Sequence, residues 1–106
     1  METATIHDFS NSIQYEPGGI VSKIIMKNTA GNVTLFAFDK NQQLSEHTAP
    51  FDALVQIVEG KAEILINKEP FLLNAGESII MPAGIPHALN ATESFKMILT
   101  MLKAAC

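Results

Sequence analysis

Residues Gly76–His87 read Gly-Glu-Ser-Ile-Ile-Met-Pro-Ala-Gly-Ile-Pro-His, and no other segment of the chain carries as much structural information. Gly76 permits a turn with a positive φ angle, a conformation that other residues adopt only at a cost. Pro82 and Gly84 predict a stiff corner between two short strands. We therefore expect His87 to begin a strand at a fixed place.

Outward from this segment, the chain consists of short β-prone runs separated by Gly, Asn, Pro and Asp. The predicted strands are 20–27, 33–38, 44–48, 53–58, 61–66, 71–73, 78–81, 87–89 and 94–103. Glu59-Gly60 is interpreted as a tight connection, and residues 1–19 as mostly loop, with a short edge strand as the alternative. The long crossovers that parallel strands need are missing, so the sheet must be antiparallel. Because closure removes exposed edges, the sequence predicts an all-β antiparallel barrel or jelly roll.

Length and charge restrict the class of protein. A chain of 106 residues forms one domain, 1–106, whose barrel we expect to span 20–103. A net charge of -4 without a basic cluster disfavours nucleic acid and anionic membrane as partners. The first residues show no signal peptide, so we expect a cytoplasmic protein. Cys106 is the only cysteine and cannot form an internal disulfide.

The segment that ends at His87 resembles the second conserved motif of the cupins. That motif reads Gly, five residues, Pro, one residue, Gly, two residues, His, and this chain matches it at Gly76, Pro82, Gly84 and His87. The resemblance implies a double-stranded β-helix, or jelly-roll barrel, in which His87 faces inward. The motif usually ends on Asn four residues after the His, whereas here Asn90 follows after three.

The first cupin motif is matched at its two ends. His47 stands at its first histidine and Gly60 at its final glycine, while Asn41 replaces the leading glycine and can adopt the same left-handed turn. Ala49 occupies the place of the second histidine, and Ala53 that of the Glu or Gln. The resemblance therefore covers about residues 30–102.

Metal-bearing cupins draw three His and one Glu or Gln from the two motifs, and this chain keeps His47 and His87. Two imidazoles hold a divalent metal (Zn, Fe, Ni or Mn) weakly, because a typical site has three or four protein ligands. Asp52 would complete a facial triad if the loop shifted by one residue, and Gln56 is a second candidate. Strand alternation instead places Asp52 and Gln56 on the face opposite Ala53, where Asp52 would be solvated or would cap the turn after Pro50.

Alanine at positions 49 and 53 also widens the pocket and makes it apolar, which suits a small organic ligand. The expected lining is Phe36, Phe38, Ala49, Ala53, Val55, Ile57, Met81 and Met97. The alternative is that these side chains simply fill the barrel core. His7 lies in the irregular N-terminal region, and we expect it to be exposed.

Three functions remain open at this point. The first is a binding module that holds a small molecule, such as a sugar or a carboxylate, near His47 and His87. The second is a metal-dependent isomerase, lyase or dioxygenase acting on a small polar substrate. The third is metal-free acid–base catalysis by the His pair.

The runs 20–26 and 95–102 are largely apolar on both strand faces. A small barrel has a single core, so the second apolar face of these strands needs another surface to cover it. This pattern predicts a homodimer.

Overall fold

The computed structural model of the chain describes residues 1–103, and Cys106 lies outside the described residues. Eight strands are found in this part of the chain, and all their pairings are antiparallel, as predicted. The strands are β1 (Ile20–Asn28), β2 (Gly31–Phe38), β3 (Gln43–His47), β4 (Asp52–Ile66), β5 (Glu69–Asn74), β6 (Ser78–Met81), β7 (His87–Asn90) and β8 (Phe95–Leu102). No helix in residues 1–103 is long and apolar enough to cross a membrane.

The strands form two sheets that share the long strand β4. The first half of β4 lies between β8 and β6, which gives sheet A the order β1-β2-β8-β4-β6. Its second half lies between β5 and β7, which gives sheet B the order β5-β4-β7-β3. The chain therefore curls into a barrel because one strand passes from one sheet into the other.

The predicted turn at Glu59-Gly60 is wrong, because β4 runs without interruption through both residues. Gly60 has a φ of +78°, and a Cβ atom built on it would lie 2.0 Å from the carbonyl oxygen of Ser94. The pairing between β4 and β8 shifts register just before this point, between Ile57 and Glu59. Gly60 thus lets β4 bend between the two sheets at the point where the backbone of Ser94 and Phe95 lies close against it.

The barrel interior is filled by large apolar side chains from both sheets. The rings of Phe38 and Phe95 stack with their centroids 4.6 Å apart. Around them lie buried residues of sheet A, such as Val55 and Met97, and of sheet B, such as Ile64. The inward positions alternate with outward ones along β4, as the sequence pattern predicted.

Residues 1–19 are mostly loop, as expected, and they form no edge strand. They contain a short 3-10 helix, Phe9–Asn11, and the buried Ile13, which packs against Leu35 and Ala37 on the outer face of sheet A. Lys96 lies beneath them, 4% exposed, and donates a hydrogen bond to the carbonyl of Ser10. We call residues 8–15 the N-terminal cover, since they bury part of this outer face.

Candidate functional site

The corner ahead of His87 is held by backbone hydrogen bonds. Gly84 has a φ of +74°, and its N–H donates to the carbonyl of Ala49 at 2.8 Å. The N–H of Ala83 donates to the Asp52 carboxylate, also at 2.8 Å. These two contacts tie the corner to Ala49, which lies between β3 and β4, and to Asp52, the first residue of β4. They place the start of β7 beside the end of β3.

His47 and His87 meet at the mouth of the barrel. His47 ends β3 and His87 begins β7, and the two residues are directly opposite each other in the β3–β7 pairing. Their ring centroids are 4.2 Å apart, with the ring planes at 72°. His47 is exposed, whereas His87 is only 5% exposed. On the other side of β7, Ile66 stands opposite His87, so the pair has an apolar flank.

The backbone sets the tautomer of both rings. Nδ1 of His47 lies 2.7 Å from the carbonyl oxygen of Ser45, and Nδ1 of His87 lies 3.3 Å from that of Ile85. A carbonyl oxygen can only accept, so each Nδ1 carries the proton and donates it. In the neutral rings, Nε2 is therefore the atom with the free lone pair.

Neither Nε2 atom makes a hydrogen bond to another group in residues 1–103. No buried side-chain nitrogen or oxygen atom in the same residues lacks a partner, so Nε2 of His87 is reached by solvent. Two lone pairs on adjacent rings are thus open to an incoming group.

The pKa of His87 is lowered. The main cause is burial, which disfavours the charged imidazolium, and the charge of the neighbouring His47 lowers it further. The hydrogen bond to the Ile85 carbonyl opposes these effects by favouring the protonated ring. His87 is consequently neutral at pH 7, and its Nε2 acts as an acceptor.

The proposed third metal ligands lie elsewhere. Asp52 is exposed and accepts a hydrogen bond from the backbone N–H of Ala83. It therefore stabilises the corner ahead of His87, whereas the alternative given above placed it on the turn after Pro50. Gln56 is exposed on the outer face of β4, between the inward-facing Val55 and Ile57. Within residues 1–103, no three His, Cys, Asp or Glu side chains are grouped closely enough to hold a metal ion together.

The predicted pocket residues are mostly core residues. The buried ones are Phe38, Ala53, Val55, Ile57, Met81 and Met97, and Phe36 packs against them. Ala49 is half-buried, and its carbonyl holds the corner at Gly84. This burial agrees with the interpretation that these side chains fill the barrel, and their contact with a ligand stays a prediction.

Sequence reasoning missed the groups that orient the histidines. The carbonyls of Ser45 and Ile85 each lie two residues before the ring that they bind, and nothing in the side-chain pattern indicates them. His7, expected to be exposed, is half-buried: its ring stacks on Phe9 and its Nε2 binds the carbonyl of Glu2. It lies in the N-terminal region, and its contacts are with residues of that region.

Comparison with known proteins identifies the family of this chain and structures that share its fold. The cupin domain family model matches residues 34–102. A conserved protein of unknown function from Streptococcus pyogenes is 37% identical over 100% of this chain and 93% of its own, with a TM-score of 0.94. No curated protein sequence matches the chain.

Two further structures extend the comparison. A cupin 2 conserved barrel domain protein from Leptotrichia buccalis is 39% identical over 89% of this chain and 46% of its own, with a TM-score of 0.86. A cupin superfamily protein from Desulfitobacterium hafniense is 22% identical over 98% of this chain and 94% of its own, with a TM-score of 0.88, and it supports the fold alone. These similarities confirm the predicted fold class and the predicted family.

Proposed function

Since this chain belongs to the cupin family, whose barrel serves many chemistries, we propose a function from its own site: it binds a small organic molecule through His47 and His87. The observation that carries the proposal is the pair of adjacent imidazoles whose Nδ1 protons are both used by backbone carbonyls. The ligand therefore meets two Nε2 lone pairs at the barrel mouth.

The chemistry of the ligand follows from those lone pairs. When both imidazoles are neutral, their Nε2 atoms offer acceptors only, so the ligand must bring hydrogen-bond donors. A hydroxylated compound, such as a sugar or another polyol, brings them directly. A carboxylic acid brings one with its proton, and its anion then pairs with the imidazolium that forms.

The surroundings of the pair favour a ligand with an apolar part as well. Ile66 stands opposite His87 on β4, and the half-buried Phe71 packs against the core beside this strand. An apolar group of the ligand would lose water by contact with this flank, while its polar group binds the imidazoles.

A resident metal fits the site poorly. Two nitrogen ligands fall short of the three or four that protein metal sites use, and neither Asp52 nor Gln56 is directed to the pair. The metal-dependent enzyme therefore needs donors that residues 1–103 do not bring together. No step of the proposed function passes through a metal.

The test is an NMR titration of the three histidines in the full chain. The probes are myo-inositol, benzoic acid and ZnCl2, each followed through the ring resonances of uniformly 15N,13C-labelled protein. We expect inositol or benzoic acid to shift His47 and His87 together and to leave His7 unmoved. Long-range 1H–15N correlations report the tautomers, and both rings should carry the proton on Nδ1.

Variants make the titration decisive. His87→Gln should weaken binding of the organic probe about tenfold or more, because the loss of one charge-assisted or neutral hydrogen bond is worth about 1–2 kcal/mol. His7→Gln is the matched control and should bind as the wild type does. The proposal is contradicted if neither organic probe shifts His47 and His87. Stoichiometric, tight Zn2+ binding that is lost in His87→Gln would favour the metal-dependent function instead.

A further inference from the structure

The hairpin between β4 and β5 carries a lysine at a position where its turn favours glycine. Ile66 pairs directly with Glu69, so only two residues connect the strands. They are Asn67 and Lys68, whose φ angles are +51° and +67°. A two-residue hairpin turn with two positive φ angles is of type I′, and its usual sequence is Asn-Gly. Asparagine tolerates this left-handed region, whereas Lys68 adopts it against the steric preference of its Cβ atom.

This backbone conformation is unusual for a lysine. Four residues other than glycine have a positive φ within residues 1–103, and two of them, Asn41 and Asn67, are asparagines. Of the other two, Ala4 lies in the N-terminal region, and Lys68 is the one with a long charged side chain. Strained backbone of this kind concentrates at functional sites, so the surroundings of Lys68 indicate what its ammonium group contacts.

The tip of this hairpin lies beside the His pair. Ile66, the last residue before the turn, stands opposite His87 in the β4–β7 pairing. The backbone N–H of Asn67 donates to the carbonyl of Pro86 at 2.8 Å, which ties the turn to the residue before His87. Lys68 and His87 line the same cavity of about 40 Å³. The strained lysine is therefore held next to one of the two imidazoles.

The Lys68 ammonium is available to a ligand. Lys68 is exposed, and the ion pair found within residues 1–103 joins Lys96 to Glu59 beneath the N-terminal cover. Glu46 is the carboxylate that lines the same cavity as Lys68, and the two side chains are not within ion-pair distance of each other. A molecule bound at the His pair therefore meets a cation as well as two lone pairs.

We propose that Lys68 selects the ligand of the His pair and that this ligand is a hydroxy acid with an apolar group, an inference that rests on the proposed function. The hydroxyl group donates to the Nε2 lone pair of a neutral imidazole, which a carboxylate without a proton cannot do. The carboxylate accepts from the Lys68 ammonium, whose flexible four-carbon stem lets it follow the anion. The apolar group packs against Ile66. A neutral polyol leaves the lysine charge unused, so the acid should bind more tightly.

Three related probes test this proposal. Mandelate has a hydroxyl group, a carboxylate and a phenyl ring. 1-Phenyl-1,2-ethanediol replaces the carboxylate by a neutral alcohol, and phenylacetate lacks the hydroxyl group. Each is titrated into the full chain at about pH 7.5 and followed through the ring resonances of His47 and His87. We expect mandelate to bind about fivefold more tightly than either analogue, as one exposed ion pair or one hydrogen bond supplies.

Variants of the lysine separate its charge from its effect on the turn. Lys68→Gln should remove the preference for mandelate over the diol, and Lys68→Arg should keep it because the cation is retained. Lys68→Gly should bind mandelate as weakly as Lys68→Gln, yet its relaxed turn should raise the thermal midpoint by about 2–4 °C. Lys40→Gln is the matched control, since Lys40 is exposed and its backbone N–H binds Ser94. It should bind mandelate as the wild type does.

The outcomes distinguish this inference from the proposed function. Equal mandelate affinity in Lys68→Gln and the wild type, with His47 and His87 still shifting, would overturn the role of Lys68 and leave the proposed function intact. Binding of the diol or of phenylacetate as tight as that of mandelate would overturn the hydroxy acid as the ligand class. If none of the three probes shifts either ring, both proposals are overturned. Circular dichroism of each variant establishes that the barrel is folded.

Discussion

Replacing Gly60 by alanine tests the close approach of the Ser94–Phe95 backbone to β4, at the point where β4 passes from one sheet into the other. The φ of +78° costs an alanine about 1–2 kcal/mol because Cβ approaches the following carbonyl. The new Cβ would also lie 2.0 Å from the Ser94 carbonyl oxygen and 2.9 Å from Cα of Phe95, so backbone must move. We expect this second effect to add about 1–3 kcal/mol, as overpacking does elsewhere.

Gly84→Ala is the matched control for this prediction. Gly84 has a φ of +74°, nearly that of Gly60, but a Cβ there would meet nothing within 4 Å. It should therefore lose only the conformational cost of about 1–2 kcal/mol. Urea denaturation followed by circular dichroism measures the free energy of unfolding of both variants. In a thermal melt, each 1 kcal/mol lost should lower the midpoint by about 4–8 °C. Equal destabilisation of the two variants would refute the close approach of the Ser94–Phe95 backbone to Gly60.

Three further predictions concern charged groups and the corner. Because the pKa of His87 is lowered in the folded chain, the unfolded chain binds a proton first as pH falls below about 6.5, and the free energy of unfolding should drop between pH 7.5 and 5. His87→Gln should reduce this drop. If urea denaturation shows the same dependence on pH in the variant and the wild type, the prediction is contradicted. Lys96→Met removes the hydrogen bond to Ser10 and the 3.4 Å ion pair with Glu59, so hydrogen exchange in residues 8–15 should accelerate while exchange in β4 stays slow. Asp52→Ala removes the acceptor for Ala83 and should cost about 1 kcal/mol in urea denaturation, whereas Asp52→Asn, which keeps an acceptor oxygen, should cost less.

The corner at the second motif was predictable because its signals are local. Gly76 and Gly84 have positive φ, Asn41 takes the left-handed turn expected of it, and His87 begins a strand. Proline restricts its own backbone angles and glycine widens their range, so the effect of each can be inferred from a few adjacent residues. The meeting of His47 with His87 followed from the family resemblance of two such local motifs.

The course of β4 was not predictable in this way. Glu59-Gly60 has the local pattern of a turn, but the structure shows a glycine within a continuous strand, where its positive φ and the nearby Ser94 backbone exclude a Cβ atom. The N-terminal cover was missed for a related reason. Its buried Ile13 and its contact with Lys96 depend on partners that are far away in the sequence, 86 residues in the case of Ser10 and Lys96.

The two cupin motifs separate the groups that shape the barrel from the side chains that we propose to bind a ligand. Ala49 lacks the imidazole of a metal-bearing cupin, yet its carbonyl still holds the corner that positions His87. The geometry of the corner depends on a backbone carbonyl at position 49, and any residue that keeps the same backbone conformation there supplies it. The carbonyls of Ser45 and Ile85 likewise orient the two rings without a contribution from their own side chains. Because the backbone determines this geometry, the side chains at the metal-ligand positions can change while the barrel and the His pair are retained. The motif therefore predicts where the site lies, and the chemistry of the site depends on the side chains that remain there.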